Sequence, residues 1–264
     1  MILTVLLGLL AACEGAPVTS RSQIMLVSES EERQLGLQAY QQVVSSERQS
    51  HDQTVNAMVE RVGRRIATAA ENPPEGMWRP PRFQWEFRTI DKNVVNAFCL
   101  PGGKVAVYTG LLPVAQSEAG LAVVMGHEVA HALARHGAER MSDQMVTSIG
   151  VAAAGVALAA TASGRNRSYM PMVVGALGAG ATYGFMLPMS RAQESEADRI
   201  GLVLMAMAGY DPHEGVALWE RMRAANAAKP RQPEWLGTHP ADTTRINNIR
   251  AWVPEAMKYY RRRD

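Results

Sequence analysis

Two histidines and a glutamate, His127, His131 and Glu128, carry the strongest chemical signal in this chain of 264 residues, which contains only six histidines. They read as H-E-x-x-H within a small, apolar run that has no proline from 115 to 145, a pattern typical of a buried helix. Residues four apart share a helix face, so both imidazoles can bind one metal ion with Glu128 beside the attacking water. The spacing predicts metal-assisted hydrolysis of an amide bond. The apolar flanks disfavour the competing interpretation, in which both histidines only satisfy core hydrogen bonds.

A third ligand must come from another element, because a catalytic zinc site uses three protein ligands and leaves one position for water. The best candidate is Glu194, in the charged stretch that begins at Ser190. Asp198 follows four residues later on the same helix face, where it can accept a hydrogen bond from a ligand imidazole and fix its tautomer. Glu196 points to the other side of that helix. The alternative is an ordinary helix start, since acidic residues are favoured in a first turn.

These residues resemble the gluzincin zinc metalloproteases of the HtpX, Oma and CAAX prenyl endopeptidase type, with most likeness to the bacterial periplasmic BepA/LoiP branch. The likeness extends from about Asp91 to Arg250, in the order that the family shows. Cys99 is a small departure, at a position where a small apolar residue is expected. The segments that carry the likeness are His127-Glu128-x-x-His131, Glu194-x-x-Ala197-Asp198, Asn96–Leu111, Ser190-Arg191, and Thr238-His239-Pro240 with Arg245.

The resemblance implies one Zn²⁺ per chain, held by His127, His131 and Glu194. It also implies an α+β, mainly α-helical zincin-type domain, with a small antiparallel sheet at the cleft and a helical hairpin insert. Glu128 would take a proton from the attacking water and later give it to the leaving amine.

The resemblance also draws attention to two residues near the C-terminus. His239 would lie near the metal, either as a stabiliser of the oxyanion or as an extra ligand that shuts the site. In the alternative, the sequence around His239 is only a turn before a helix that Pro240 starts. Arg245 would orient the cleft or pair with Asp198, and a solvated surface arginine is the alternative.

The clearest β region runs from Phe83 to Leu112. Phe83–Ile90 alternates apolar and polar residues, and Ala97–Leu100 with Val105–Thr109 flank a Pro-Gly-Gly turn, which predicts a hairpin. By resemblance, one edge of this sheet borders the cleft, where an extended substrate could add as a strand. Substrate would then contact Asn96, Ala97 and Phe98. A plain structural hairpin is the alternative.

The N-terminus predicts export. A short apolar run ends at Leu10-Ala-Ala-Cys13 and resembles a bacterial lipobox, so residues 1–12 would be a signal peptide and Cys13 would carry lipid. Neither Lys nor Arg precedes the run, and a soluble exported enzyme or a buried N-terminal helix are the alternatives. This interpretation predicts a periplasm-facing protein of the bacterial envelope, anchored to the outer membrane and able to contact its assembly machinery.

Residues 146–189 form two uncharged, Ala- and Gly-rich runs on either side of Arg165 and Arg167. Their weak hydropathy favours a helical hairpin or lid near the cleft over a membrane hairpin, which is the alternative. A polar linker and two helices are expected between Ala16 and Glu71, and the region 13–264 is expected to form one domain. His51, His136 and His213 are interpreted as structural or surface residues, with His136 facing away from the metal.

A net charge of +2 gives no indication of nucleic acid as a partner. The sequence therefore predicts a zinc-dependent endopeptidase that acts on unfolded or misassembled envelope proteins. The alternative is a chaperone-like module that binds substrates with little turnover, although a pure binder would not need Glu128. A structural metal site is a third interpretation.

Overall fold

A computed structural model of the chain describes residues 13–161, 189–227, 239 and 243–261. The predicted signal peptide, the second half of the predicted hairpin insert and most residues around His239 lie outside this part. The mainly helical α+β class is confirmed. The strands are β1 Cys13–Gly15, β2 Ser22–Ile24, β3 Glu86–Ile90, β4 Ala97–Leu100 and β5 Lys104–Tyr108. The helices are α1 Glu29–Ser46, α2 Gln53–Glu71, α3 Leu112–Ala115, α4 Glu118–Leu133, α5 His136–Thr161, α6 Arg191–Met207, α7 Glu214–Ala227 and α8 Thr243–Ala256, with short 3-10 turns at Thr109–Leu111 and Met257–Tyr259.

Side chains that accept hydrogen bonds from free amides start four of these helices. Ser28 and Ser190 form capping boxes with Glu31 and Gln193, which starts α1 and α6 where the sequence indicates. Asp52 caps α2 and Ser117 caps α4 through single acceptors. The capping box fixes the first residue of α6 at Arg191, three residues before Glu194. The local sequence therefore determines which side of α6 carries Glu194 and Asp198.

The sheet at the cleft is mixed, which corrects the expectation of an antiparallel one. Its order is β3-β5-β4, with β4 antiparallel to β5 as the predicted hairpin requires, but β3 parallel to β5. Between Ile90 and Ala97 the chain reverses its direction and leaves a gap one strand wide between β3 and β4. The next strand, β5, fills this gap and pairs with both of them. This order makes β4 the edge strand on the side of α4, against which it packs.

The main core lies between α2, the sheet, α4, α6, α7 and α8. On β4, Ala97 and Cys99 face this core, whereas Phe98 joins a smaller cluster with Ile90 and Tyr108 on the opposite face. The alternation follows from the two-residue period of a strand. Each strand of the hairpin thus presents one set of side chains to α4 and the other set away from it.

The N-terminal segment differs from the expected polar linker, because β1 and β2 form a short antiparallel hairpin. Both strands are only three residues long and carry no clear alternation, so the local sequence does not predict them. The first half of the predicted insert is helical, since α5 continues to Thr161. Among the described residues, no helix is both long and apolar enough to span a bilayer.

Candidate metal centre

The site is built where α4 crosses α6, and a pair of glycines brings the two helices together. A Cβ atom on Gly126 would lie 2.9 Å from the carbonyl oxygen of Gly201, and one on Gly201 would lie 2.9 Å from the backbone nitrogen of His127. Such contacts are too short for any other residue without movement of the backbone. The missing side chains let the acidic face of α6 reach the histidines of α4.

Four side chains of the described residues converge at this crossing, and each offers a ligand atom within 4.8 Å of the others. The Nε2 atoms of His127 and His131 are 3.0 Å apart, and the Glu194 carboxylate lies 3.5 and 3.4 Å from them. His239 joins them, with its Nδ1 atom 2.7 Å from Glu194 Oε1. All four side chains are buried.

The first histidine is oriented by an acid on α6. His127 Nδ1 lies 3.0 Å from Asp198 Oδ1, and a carboxylate can only accept, so Nδ1 carries the proton and Nε2 presents its lone pair. Arg245 holds Asp198 from behind, donating to its two oxygens at 2.7 and 2.8 Å. The guanidinium of Arg245 also lies 2.8 Å from Glu194 and stacks on the ring of Trp219.

The second histidine is oriented by another histidine, which the sequence did not indicate. His131 Nδ1 lies 2.8 Å from His136 Nδ1, and His136 Nε2 lies 3.2 Å from Glu196 Oε2. Since the carboxylate accepts, His136 Nε2 is protonated, and its Nδ1 accepts the Nδ1 proton of His131. The lone pair of His131 Nε2 therefore also points to the centre of the cluster.

His136 was expected to face away from the metal, and that expectation is wrong because the helix does not continue through it. Helix α4 ends at Leu133, and Arg135 adopts φ +54°, a left-handed conformation. The new helix α5 starts at His136 in another direction, so the 140° offset of a continuous helix does not apply. Glu196, which was expected on the other side of its helix from Glu194, is buried there against His136.

The electrostatics of the cluster favour a bound cation. Burial raises the pKa of Glu194, but its close contacts with the rings of His127, His131 and His239 outweigh burial and hold the pKa far below its usual range. Burial lowers the pKa of His127, but Asp198 and Glu194 outweigh it and raise the pKa to about 9, so in the metal-free site the ring holds a second proton that a bound cation would replace. Two converging imidazole lone pairs and an ionised carboxylate are a donor set that suits Zn²⁺. The residues present therefore fit a zinc ion.

The sequence matches the model of peptidase family M48 over residues 53–253. The chain belongs to peptidase family M48. Mitochondrial metalloendopeptidase OMA1 of Schizosaccharomyces pombe is 36% identical over 92% of this chain and 67% of the relative, and that of Saccharomyces cerevisiae is 32% identical over 95% and 72%. The beta-barrel assembly-enhancing protease of Escherichia coli is 30% identical over 83% of this chain and 43% of the relative. This M48 peptidase is thus a metalloendopeptidase that uses zinc and acts on proteins or peptides.

The expected location in a bacterial envelope is contradicted by these comparisons. Both yeast relatives, which match more than nine tenths of this M48 peptidase, are named as mitochondrial proteins. Lipid on Cys13 and an outer-membrane assembly partner both depended on the envelope location, and the relatives give them no support.

The predicted site residues of this M48 peptidase fall into two groups. His127, His131, Glu194, Asp198 and Arg245 come together in one buried cluster, and its remaining predicted members are Glu128 and His239. The predicted substrate residues lie at the edge of the sheet, where Asn96 immediately precedes β4 and Ala97 and Phe98 are its first two residues. His136, Glu196 and Arg21 are the residues around the site that sequence reasoning missed.

Proposed function

We propose that this metalloendopeptidase cleaves unfolded or misassembled protein chains that bind as an added strand along β4. The support is the position of β4, which packs against α4 and, among the described strands, pairs on one side only. Tyr108 donates to the Asn96 carbonyl, so main-chain groups of Asn96 and Phe98 face β5 and those of Ala97 and Cys99 face outward. A chain bound through main-chain groups needs an extended conformation but little specific sequence. Unfolded segments meet that requirement, whereas native elements keep their main-chain groups paired.

The side chain of Asn96 must move before a strand can pair with β4 at Ala97. Its Oδ1 accepts a hydrogen bond from the Ala97 amide at 2.9 Å, which is one of the donors that an added strand would use. We therefore assign Asn96 to the substrate site as a side chain that rotates away when substrate binds. Phe98 packs edge-to-face on Tyr108 on the other face of the sheet, and its main-chain groups face β5, so the main-chain contacts with an added strand fall to its neighbours Ala97 and Cys99.

Proton transfer is assigned to Glu128, which is buried on α4 directly beside a ligand. Zinc, when bound by His127, His131 and Glu194, supplies Lewis-acid polarisation of the scissile carbonyl and lowers the pKa of water. Glu128 takes the proton of the attacking water and delivers it to the leaving amine. His239 Nε2 lies 3.6 Å from Glu128 Oε1, and we assign His239 as the donor that stabilises the negative charge on the oxygen of the scissile carbonyl.

The deciding experiment is Glu128→Gln, which keeps the size of the side chain and removes its capacity as a base. We expect bound zinc to stay near one per chain while cleavage of casein falls by at least about 100-fold, the contribution of a general base. Glu118→Gln is the matched control, since Glu118 lies on the same helix at its exposed end, paired with Arg61. Unchanged proteolysis in Glu128→Gln would overturn the mechanism.

The choice of substrate is tested with one protein in two states. Reduced and carboxymethylated lysozyme should be cleaved, and native lysozyme should stay intact, if an extended main chain is required. Peptides that carry N-methyl groups at alternate residues should lose binding when the methylated amides face β4 and keep it when they face away. Equal binding of both peptides would contradict strand addition without affecting the assignment of Glu128. A wild-type protein that binds unfolded lysozyme and leaves it intact would support the chaperone-like alternative.

A further inference from the structure

Arg21, in the N-terminal hairpin, bridges two buried acids that belong to different helices. Its guanidinium lies 2.7 Å from Glu196 on α6 through Nε, and 2.5 and 2.8 Å from the two oxygens of Glu139 on α5. Thr19 of the same hairpin donates to the other oxygen of Glu196. Both acids are about 95% buried, whereas Arg21 is about a third exposed. The hairpin therefore covers two carboxylates that have no access to solvent of their own.

One of these acids leads directly to the metal centre. The two oxygens of Glu196 accept hydrogen bonds from Arg21, from Thr19 and from Nε2 of His136. His136 Nδ1 in turn accepts the proton of His131 Nδ1. The cation keeps the Glu196 carboxylate charged and in place, so that it can only accept from His136. The chain of contacts from Arg21 to the Nε2 lone pair of His131 is thus continuous.

The other acid leads to the beginning of the helix that carries Glu194. Glu139 Oε2 accepts from Gln193 at 2.8 Å and from Gln23 of the hairpin at 2.9 Å. Gln193 is also the capping-box partner of Ser190 and immediately precedes Glu194. Gln23 further donates to the carbonyl of Ala134, at the turn between α4 and α5. The N-terminal hairpin therefore contacts the turn after α4 directly and, through Glu139, the beginning of α6, and these two helices carry the proposed zinc ligands.

We propose that Arg21 is a positioning residue for zinc, which fixes the metal-binding tautomer of His131 through Glu196 and His136 and thereby makes the N-terminal hairpin part of the metal centre. Arg21 touches neither substrate nor zinc, and it lies outside the range 53–253 that matches the family model. Partners that orient a ligand imidazole in this way typically contribute about 10- to 100-fold to metal affinity. The inference rests on the proposed role of His131 as a ligand, but its readout is zinc affinity and not proteolysis.

The first test measures the zinc affinity of folded protein by competition with a chromophoric chelator. Arg21→Ala should weaken zinc binding by about tenfold or more and shift the visible spectrum of the cobalt-substituted protein. Arg21→Lys should restore part of the loss, because an ammonium keeps the charge but cannot contact both acids. Arg64→Ala, which removes an exposed arginine paired with Glu60, is the control and should leave affinity unchanged. Unchanged zinc affinity and an unchanged cobalt spectrum in Arg21→Ala would overturn the proposal.

A second test remains available if Arg21→Ala does not fold, since it would leave two buried acids without their cation. Glu196→Ala keeps the Arg21–Glu139 pair and should also weaken zinc binding by about tenfold. In a double variant that combines Glu196→Ala with Arg21→Lys, which keeps a cation beside Glu139, the two losses should not add, because both residues act through His136. Fully additive losses would show that Arg21 acts by another route.

The tautomer itself can be read in the unaltered, zinc-loaded protein. Nitrogen-15 spectra of the histidine rings should show His136 protonated at Nε2 and unprotonated at Nδ1. A proton on His136 Nδ1 would direct a donor at His131 and contradict the proposal, whatever the variants do.

Discussion

The two histidine ligands are held by different kinds of support. His127 meets a carboxylate directly, Asp198, and that carboxylate is clamped by one arginine, Arg245. His131 meets a second imidazole, which then meets Glu196, and the arginine at the far end of this chain comes from the N-terminal hairpin. Both routes end in a carboxylate–arginine pair, but one has a single step and the other has two.

The difference shows how each half of the site is assembled. On the His127 side, the acid lies on the helix that also provides Glu194, so one helix supplies both the ligand and its support. On the His131 side, the support comes from the first residue of α5, from α6 and from the turn immediately before β2, and these are far apart in sequence. We call the support of His127 by Asp198 and Arg245 the direct side, and the support of His131 by His136, Glu196 and Arg21 the relayed side. The direct side depends on helix geometry, whereas the relayed side depends on tertiary packing.

The largest effect is expected from Asp198→Ala, which removes the support of the direct side. His127 then loses its fixed tautomer and Arg245 loses a partner beside Glu194, so zinc affinity should fall by about 100-fold. Glu196→Ala, on the relayed side, should lose about tenfold. Asp91→Ala, at an exposed ion pair with Arg48, is the control. Equal losses at Asp198 and Glu196 would remove the distinction between the two sides.

The direct side could be predicted from the sequence, because its geometry is that of a regular helix. Glu194 and Asp198 are four residues apart behind a capping box, and both lie on the face that meets α4. The same reasoning applies to His127 and His131 on α4. Neither prediction requires knowledge of how distant parts of the chain pack.

The relayed side could not be predicted, because it begins with a break that has no local signal. A left-handed residue is usually Gly or Asn, and here it is Arg135. Its conformation is held from a distance, since the guanidinium donates to Glu32 at 2.8 Å and to the carbonyl of Val27 at 2.8 Å. A prediction that extends α4 by periodicity therefore turns His136 in the wrong direction.

The sheet and the N-terminal hairpin show the same limit. The hairpin β4–β5 follows from its turn residues, but the parallel pairing of β3 with β5 depends on a crossing of the chain that the alternation of Phe83–Ile90 does not encode. Arg21 and Glu196 are separated by 175 residues. A charged residue in a polar stretch gives no sign that it will cover two buried acids.

The next effect in size is expected from Gly201→Ala, which tests whether the direct side depends on close helix packing. The new methyl group would meet the backbone of Gly126 and His127, neither of which can move by rotating a side chain. We expect a loss of about 2 kcal/mol in the free energy of unfolding, together with weaker zinc binding.

Gly215→Ala is the matched control for this substitution. A Cβ at Gly215 would meet only the ends of the Leu202 and Ile249 side chains, which can adjust, and alanine is a better helix former than glycine. Urea unfolding of the zinc-free and zinc-loaded proteins measures both variants. Equal stability of the two variants would mean that the α4–α6 contact can relax without disturbing the site.

The smallest effect is expected on the relayed side and depends on pH. Burial raises the pKa of Glu139, but Arg21, Gln193 and Gln23 outweigh it, so the folded-state pKa lies below the ordinary value of 4.5. The charged form therefore stabilises the fold fully above pH 4.5, and this contribution is lost as the pH falls through the lowered pKa. In zinc-free protein, Glu139→Gln should cost about 1.5 kcal/mol at pH 7 and progressively less below pH 4.5. Urea unfolding across this range checks it, with exposed Glu75→Gln as control, and a cost that stays constant below pH 4.5 would show that the Arg21–Glu139 contact does not depend on the carboxylate charge.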